Sequence, residues 1–258
     1  MVSEVNLNAD MGEGYGAYDI GDDESLLKII RSANVACGFH AGDPKVMHRL
    51  AMRARVEGVS VGAHPGFNDL LGFGRRRIDM RPDELEYSIA YQIGALQAMV
   101  TYAGLEVTHV KPHGALNNMA AENREFADAI GRAIKVVDPS LIYVALSGSE
   151  MQKAGEALGL TVACEGFADR QYDDDGNLTS REIAGSVIRD PEEARERVVN
   201  MVQEQAVTSR NGKKIPLRVD SICVHGDEPT SVAVASAVRQ GLEAAGIAVV
   251  SLPEMKLG

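Results

Sequence analysis

Short runs of β-favouring residues alternate with longer stretches of helical periodicity along almost the whole chain. This alternation is typical of parallel strands joined by crossover helices. Most of the runs are too continuously apolar for a sheet with one face in water, so they favour strands covered on both faces. We identify eight candidate strands: VNLNA from Val5, ANVAC from Ala33, VSVGA from Val59, VTHVK from Val107, LIYVAL from Leu141, TVACE from Thr161, SICVH from Ser221 and IAVVSL from Ile247.

The stretches between these strands carry helix start and stop signals. Pro44, Pro82 and Pro191 each stand where a first helical turn tolerates a missing N–H. Asp43 and Asp190 precede two of these prolines and are candidate caps. Glycines placed just before the next strand are suited to end a helix in the left-handed conformation, and they are Gly58, Gly104, Gly159 and Gly246. The predicted helices cover residues 43–57, 82–103, 123–136, 191–207 and 230–245.

The length of 258 residues suits one undivided (β/α) barrel. We therefore predict an α/β, TIM-barrel-like fold of seven or eight parallel strands, with a single domain over residues 1–258. The competing architecture is an open doubly wound sheet. However, the first strand lacks a GxGxxG fingerprint, and the P-loop pattern is absent throughout, so neither type of nucleotide site is encoded. The irregular stretch 166–190 predicts a functional or mobile loop.

The charge balance limits the partners of the chain. Lys and Arg number 26 against 37 Asp and Glu, giving a formal net charge of −11, so nucleic acid and anionic membranes are not expected partners. The run Arg75, Arg76 and Arg77 fits a solvated face better than an anion site, and it is kept only as a candidate for the latter.

The cysteine pattern and the absence of long apolar segments indicate the compartment. Three cysteines without CxxC spacing argue against a disulfide framework and against a thiolate zinc site. The N-terminus has no signal-peptide character, and no segment reaches the ~20 apolar residues that span a bilayer. We expect a cytoplasmic protein.

Polar and ionisable residues recur just after the candidate strand ends. In a parallel barrel all these ends meet at one mouth, which is where barrel enzymes carry their chemistry. We therefore expect one pocket to gather Asn8, Asp10, Glu13, His40, His64, Lys111, His113, Glu165, Asp169, Arg170, His225 and Asp227.

Each residue also has a purely structural interpretation. Asp10 and Glu13 can cap a turn, although two carboxylates beside a strand end also suit a general base or a metal ligand, which we favour. His40 fits a backbone hydrogen bond as well as a site role. Lys111 and His113 are two residues apart and point to the same side of a strand, which makes them the strongest candidates.

The later segments leave similar alternatives open. Asp169 and Arg170 can form a structural salt bridge, and Asp227 can cap the last helix. His48 and His109 are assigned no site role, because they lie within a predicted helix and a predicted strand. Ser147 lacks the GxSxG elbow of a serine hydrolase, so no serine triad is predicted.

The residue types suit attack of water on a carbonyl, or proton transfer at carbon. Both reactions need a positioned acid and base, and no convincing serine or thiolate nucleophile is present. Asp10, His40 and His64 could hold a divalent metal that activates water, although no HxxxH or HxH spacing supports this.

Six segments that carry these residues resemble the LamB/YcsF family in content and order. They are VNLNADMGEG, ANVACGFHAGDP, VGAHPGFNDLLGFGRR, VKPHGALNN, EGFADRQYDDDGNLTSR and CVHGD. The similarity extends over nearly the whole chain and is far more specific than any single motif. One departure is Ala184-Gly185, where relatives often have Pro-Gly.

The resemblance implies a barrel related to the glycoside hydrolase/deacetylase superfamily. It also implies an enzyme that opens 5-oxoproline to L-glutamate while ATP becomes ADP and phosphate, together with partner subunits B and C. ATP binding is implied by the resemblance alone. Under this hypothesis the catalytic residues are Asp10, Glu13, His64, Lys111, His113 and Asp169, and the substrate-binding residues are Asn8, His40, Glu165, Arg170 and His225.

Two other functions stay open at this point. One is a stand-alone, metal-dependent deacetylase that acts on a sugar or an amide. The other is a non-catalytic binding component of a multi-subunit hydrolase.

Overall fold

The computed structural model describes residues 2–226 and 230–257. The described strands are β1 (Glu4–Met11), β2 (Ser32–Ala36), β3 (Ser60–His64), β4 (Val107–Val110), β5 (Ile142–Leu146), β6 (Val162–Phe167), β7 (Ala206–Thr208), β8 (Lys214–Pro216), β9 (Ser221–His225) and β10 (Ala248–Val250). The described helices are α1 (Asp23–Leu27), α2 (Pro44–Glu57), α3 (Pro82–Tyr102), α4 (Gly114–Glu122), α5 (Arg124–Val137), α6 (Glu150–Leu158), α7 (Pro191–Glu204) and α8 (Ser231–Ala244).

Seven parallel strands close a barrel in the order β1-β2-β3-β4-β5-β6-β9, because β9 pairs back with β1. The predicted α/β barrel is confirmed, with seven strands in the closed ring. The eighth predicted strand is β10, which pairs in parallel with Glu4 to Asn6 at the start of β1. It therefore extends the sheet beside β1 rather than widening the barrel.

The interior of the barrel is polar. Asn6, on β1, donates a hydrogen bond to Ser32 Oγ (2.8 Å) and accepts one from Ser221 Oγ (2.7 Å). Asn8, two residues on, donates to the same Ser221 Oγ (2.7 Å). The residues between them, such as Leu7, belong to the apolar core instead. Successive side chains of a strand point to opposite faces, so the alternation NLNAD in β1 encodes an apolar exterior and a polar interior.

The five predicted helices are found, and their caps follow the sequence signals. Asp43 accepts backbone hydrogen bonds at the start of α2, and Asp190 does so at the start of α7. The prediction for 191–207 was too long, because Gln205 adopts a left-handed conformation with φ of 49° and ends α7 at Glu204. The next residues form β7, which pairs with β8 in an antiparallel hairpin.

Three short helices were not predicted: α1, α4 and α6. Each has nine residues or fewer, so each offers too few turns for a clear apolar periodicity. The stretch 166–190 begins with the last two residues of β6 and then contains two isolated bridges, Arg170 to Val187 and Tyr172 to Leu178. None of the helices in the described ranges has the length and apolar character to cross a bilayer.

Candidate active site

The structure brings Asp10, His64 and Lys111 together at the carboxyl ends of the first barrel strands. Asp10 Oδ1 lies 2.9 Å from Lys111 Nζ, and Asp10 Oδ2 lies 3.3 Å from His64 Nε2. All three side chains are buried. Burial alone would raise the pKa of Asp10, but His64 and Lys111 hold it well below its usual value. Asp10 is therefore a carboxylate at neutral pH.

Lys111 is fully engaged by neighbours inside the barrel. Its ammonium lies 2.9 Å from Asp10, 3.1 Å from Glu165 Oε1 and 2.8 Å from Cys223 Sγ. Burial opposes the charge, yet Asp10, Cys223 and Glu165 together raise the pKa of Lys111 well above its usual value. An ammonium has three donors, and here each faces a protein atom. The geometry thus favours a role in holding Asp10 over direct contact with a ligand.

Asn34 and His109 hold Asp10 in place through a chain of hydrogen bonds inside the barrel. Asn34 Nδ2 donates to Asp10 Oδ1 (2.9 Å) and to Asn8 Oδ1 (2.7 Å), while His109 Nε2 donates to Asn34 Oδ1 (3.0 Å). Sequence reasoning overlooked Asn34 and assigned His109 no site role. The polar position of Asn34 within the apolar run ANVAC was the available signal.

Glu13, His40, His64 and His113 form a second group, which we call the histidine cluster. One ligand-type atom of each residue lies within 4.8 Å of those of the other three. The rings of His40 and His113 stack at 3.7 Å with an interplanar angle of 4°. Burial lowers the pKa of both rings well below the usual value. Gly74 permits this packing, because a Cβ there would lie 2.7 Å from His40 Cβ and 2.8 Å from His113 Cδ2.

Asp169 pairs with His225 rather than with Arg170. His225 Nδ1 donates to the Asp169 carboxylate at 2.8 Å, across 56 residues of sequence. Burial would raise the pKa of Asp169, but His225 lowers it overall. The proposed structural salt bridge between Asp169 and Arg170 is therefore not what the structure contains. With Nδ1 donating, a neutral His225 presents Nε2 as a proton acceptor.

Arg170 is a buried cation without a carboxylate partner among the described residues. Its Nη2 donates to the carbonyl of Thr179 (2.6 Å), and its Nε is buried with no hydrogen-bond partner there. Burial, and then the positive charge of Arg181, lower its pKa to about 10. Buried charges are normally paired, so this guanidinium is prepared for an anion from outside the chain.

A cavity of about 560 Å³ opens at this end of the barrel. Asp10, Lys111, His113 and His225 line it together with Arg170. The loop that follows β6 supplies much of the remaining wall, including Arg181. We call this space the mouth cavity.

The three consecutive arginines, Arg75 to Arg77, contact different partners. Arg76 pairs with Asp69, and Arg77 lies 3.8 Å from Glu122. Arg75 packs over the Phe73 ring at 4.9 Å. Arg75 and Arg77 also line the mouth cavity, so they add positive charge at its wall.

Six predicted site residues lie behind the lining of the mouth cavity: Asn8, Glu13, His40, His64, Glu165 and Asp169. Asn8 and Glu165 are hydrogen-bonded to one another at 2.9 Å in the interior, which suits support better than ligand contact. Burial raises the pKa of Glu165. Asp227 lies outside the described residues.

Comparisons with known proteins agree over nearly the full length. The LamB/YcsF family pattern matches residues 5–257. A protein of Rhodopseudomonas palustris (strain BisB5), named as the A subunit of 5-oxoprolinase, is 54% identical over 96% of this chain and 98% of that protein. The crystal structure of a lactam utilization protein from Thermus thermophilus has a TM-score of 0.91 and 44% identity, covering 96% of this chain and 100% of that one.

A more distant likeness concerns the fold alone. The catalytic domain of a peptidoglycan N-acetylglucosamine deacetylase from Eubacterium rectale is 14% identical with a TM-score of 0.51, covering 97% of this chain and 88% of that domain. What the two structures share is the barrel fold.

Proposed function

The chain belongs to the LamB/YcsF family, and from this premise we propose that it cleaves 5-oxo-L-proline to L-glutamate as the A subunit of a cytoplasmic complex with subunits B and C. The reaction is coupled to hydrolysis of ATP to ADP and phosphate. Relatives more than half identical to this chain are named as the A subunit of 5-oxoprolinase, which supports the substrate.

The observation that carries the proposal is the buried guanidinium of Arg170 at the wall of the mouth cavity, which has no carboxylate partner among the described residues. 5-Oxoproline is a small lactam with one carboxylate. A guanidinium binds a carboxylate through two parallel hydrogen bonds, which fixes orientation as well as affinity. Arg170 lines the mouth cavity, so its guanidinium is suited to bind the substrate carboxylate there. The lactam group then faces the remaining lining.

Acid and base groups are available on that lining. Asp10 is ionised and suited to orient or deprotonate the attacking water. His225, held by Asp169, is suited to accept a proton and later donate it to the ring nitrogen, in the manner of a histidine oriented by a carboxylate. His113 also lines the cavity, beside Asp10.

The requirement for ATP in this reaction has a chemical reason. A five-membered lactam is an unstrained, resonance-stabilised amide, and its carbonyl carbon is a poor electrophile. Phosphorylation of the lactam oxygen by ATP makes the carbonyl carbon electrophilic. Water adds to that carbon, the carbon–nitrogen bond breaks as the nitrogen takes up a proton, and a second water attacks the carbon of the resulting acyl phosphate and releases phosphate. The sequence has no GxGxxG or P-loop motif, so we assign nucleotide binding to the assembled complex.

The direct test is an assay with 5-oxoproline and ATP, using the purified chain with and without co-expressed subunits B and C. We expect L-glutamate only when the partners and ATP are present, with one phosphate released per glutamate. Hydrolysis of N-acetyl sugars by the chain alone would instead support the deacetylase. Unchanged turnover in both Asp10→Ala and His113→Ala would reduce the chain to a binding role.

The phosphorylated intermediate has its own test. With ¹⁸O in the lactam carbonyl, the label should appear in the released phosphate, because the carbon–oxygen bond breaks. Label found only in glutamate would contradict this route while leaving the overall reaction in place.

A further inference from the structure

The histidine cluster has the composition and placement of a metal site. Glu13 follows β1, His40 follows β2, His64 ends β3 and His113 follows β4, so four successive strand ends each contribute one side chain. All four side chains are buried. Three imidazoles and one carboxylate form a donor set typical of zinc and similar divalent ions.

Backbone carbonyls fix the ring orientation of two of the histidines. His64 Nδ1 donates to the carbonyl of Lys111 (2.7 Å), and His113 Nε2 donates to the carbonyl of Phe73 (2.8 Å). In neutral rings, the other nitrogens then carry lone pairs. Metal-binding histidines are held in this way, with the distal N–H on a carbonyl or a carboxylate.

These two lone-pair nitrogens face each other. His64 Nε2 and His113 Nδ1 lie 3.0 Å apart, a distance that two acceptors do not adopt unless a proton or a cation lies between them. Asp10 Oδ2 lies 3.3 Å from the same His64 Nε2, so a carboxylate also faces this position. A cation satisfies both nitrogens at once.

Three separations among the ligand atoms are close to those around a tetrahedral ion, and one of the parallel His40 and His113 rings must turn for both in-plane lone pairs to reach it. Metal–nitrogen bonds of 2.0–2.1 Å place neighbouring ligand atoms about 3.3 Å apart. The measured separations are 3.0 Å between His64 Nε2 and His113 Nδ1, 3.3 Å between His40 Nε2 and Glu13 Oε1, and 3.4 Å between His113 Nδ1 and Glu13 Oε1.

We propose that Glu13, His40, His64 and His113 bind one divalent transition-metal ion of the zinc class. This inference goes beyond the substrate proposed above and does not depend on it. The ligand set differs from the sequence-based set of Asp10, His40 and His64, because Asp10 Oδ1 is committed to Lys111 and Asn34. A bound ion would supply Lewis-acid polarisation next to Asp10 and the mouth cavity.

A second group, Asp10, Cys223 and His225, also brings one ligand-type atom of each residue within 4.8 Å of the other two. It is a poorer candidate, because the ammonium of Lys111 lies 2.9 Å from Asp10 Oδ1 and 2.8 Å from Cys223 Sγ. A second cation there would be repelled.

The test measures metal binding to the purified chain, without substrate or partners. After dialysis against a chelator, Zn²⁺ and Co²⁺ are titrated by calorimetry, and Co²⁺ coordination is followed by visible absorption. We expect one ion per chain, and Glu13→Gln or His113→Ala should weaken binding by at least about 100-fold. His48→Ala, on helix α2 away from the cluster, is the matched control and should bind as the wild type does.

Circular dichroism and thermal unfolding of each variant separate lost ligands from lost structure. The proposal is overturned if the folded wild-type chain binds neither ion at micromolar concentration, since the two nitrogens then share a proton. It is also overturned if Asp10→Asn abolishes binding while Glu13→Gln leaves it unchanged. Neither result bears on 5-oxoproline cleavage, which the activity assay decides separately.

Discussion

Lys111 Nζ and Asp10 Oδ1 form a buried ion pair, 2.9 Å apart, at the mouth of the barrel. Glu165 lies 3.1 Å from the same ammonium, so one cation serves two buried carboxylates. A buried pair stabilises a fold little relative to apolar residues, but loss of one partner leaves a charge without compensation. Lys111 therefore stabilises the barrel mouth and, together with His64, keeps Asp10 ionised.

Lys111→Met should lower the free energy of unfolding by about 3–5 kcal/mol, because Asp10 and Glu165 lose their counter-charge. Lys153→Met is the control: Lys153 pairs with Glu150 at 2.7 Å on the surface, with 58% of its side chain exposed. That change should cost less than about 1 kcal/mol. Denaturant unfolding at neutral pH measures both values, and equal losses would contradict the assigned role.

Arg170→Met should raise KM for 5-oxoproline by about 10–100-fold in the reconstituted complex, because a charge-assisted hydrogen bond to the substrate is lost. The thermal midpoint should stay level or rise, because the substitution removes a buried cation with no carboxylate partner among the described residues. Arg124→Met, which removes a surface pair with Asp128, should change neither quantity. An unchanged KM in Arg170→Met, or a large loss of stability, would mean that the guanidinium is structural.

Much of the fold was readable from the sequence, because strand position and barrel closure follow from local patterns. The run around Asn6 and Asn8 alternates strictly, and this alternation separates the polar interior from the apolar exterior. The convergence of Asp10, His64 and Lys111 follows from topology, since parallel strands end at one mouth.

The hydrogen-bond and ion-pair partners of individual side chains could not be predicted from the sequence in the same way. His225 binds Asp169 across 56 residues, and Lys111 binds Cys223 across 112. Neighbouring charges such as Asp169 and Arg170 suggest a local salt bridge, yet tertiary packing directs the two side chains differently. Short helices such as α4 were missed for a related reason, since packing rather than periodicity stabilises them.

Asp169→Asn should lower kcat by at least about 100-fold with little change in KM, since the amide can donate to His225 Nδ1 and so reverse the tautomer of the ring. Nε2 would then carry the proton and lose its role as acceptor. The pH profile of kcat should change as well, while the unfolding midpoint stays close to that of the wild type. Asp128→Asn, at the surface, is the control. A loss confined to KM would place Asp169 in binding alone.

Asp23 gives a stability prediction that depends on pH. Its carboxylate accepts a hydrogen bond from Gly12 N (3.1 Å), and burial raises its pKa from 3.8 to about 6. Because the folded state holds this proton more tightly than the unfolded chain, the group stabilises the fold below about pH 4. That contribution is lost as pH rises through about 6.

Asp23→Asn retains an acceptor oxygen but does not titrate. Relative to the wild type, it should therefore gain about 1–2 kcal/mol in unfolding free energy between pH 4 and pH 7.5. Asp22→Asn is a control for which the difference in unfolding free energy from the wild type should change with pH in the opposite direction. Hydrogen bonds from Ser25 lower the pKa of Asp22 and favour its ionised form. Denaturant unfolding of all three proteins at both pH values gives the comparison. A constant difference between Asp23→Asn and the wild type would show that Asp23 does not titrate in this range.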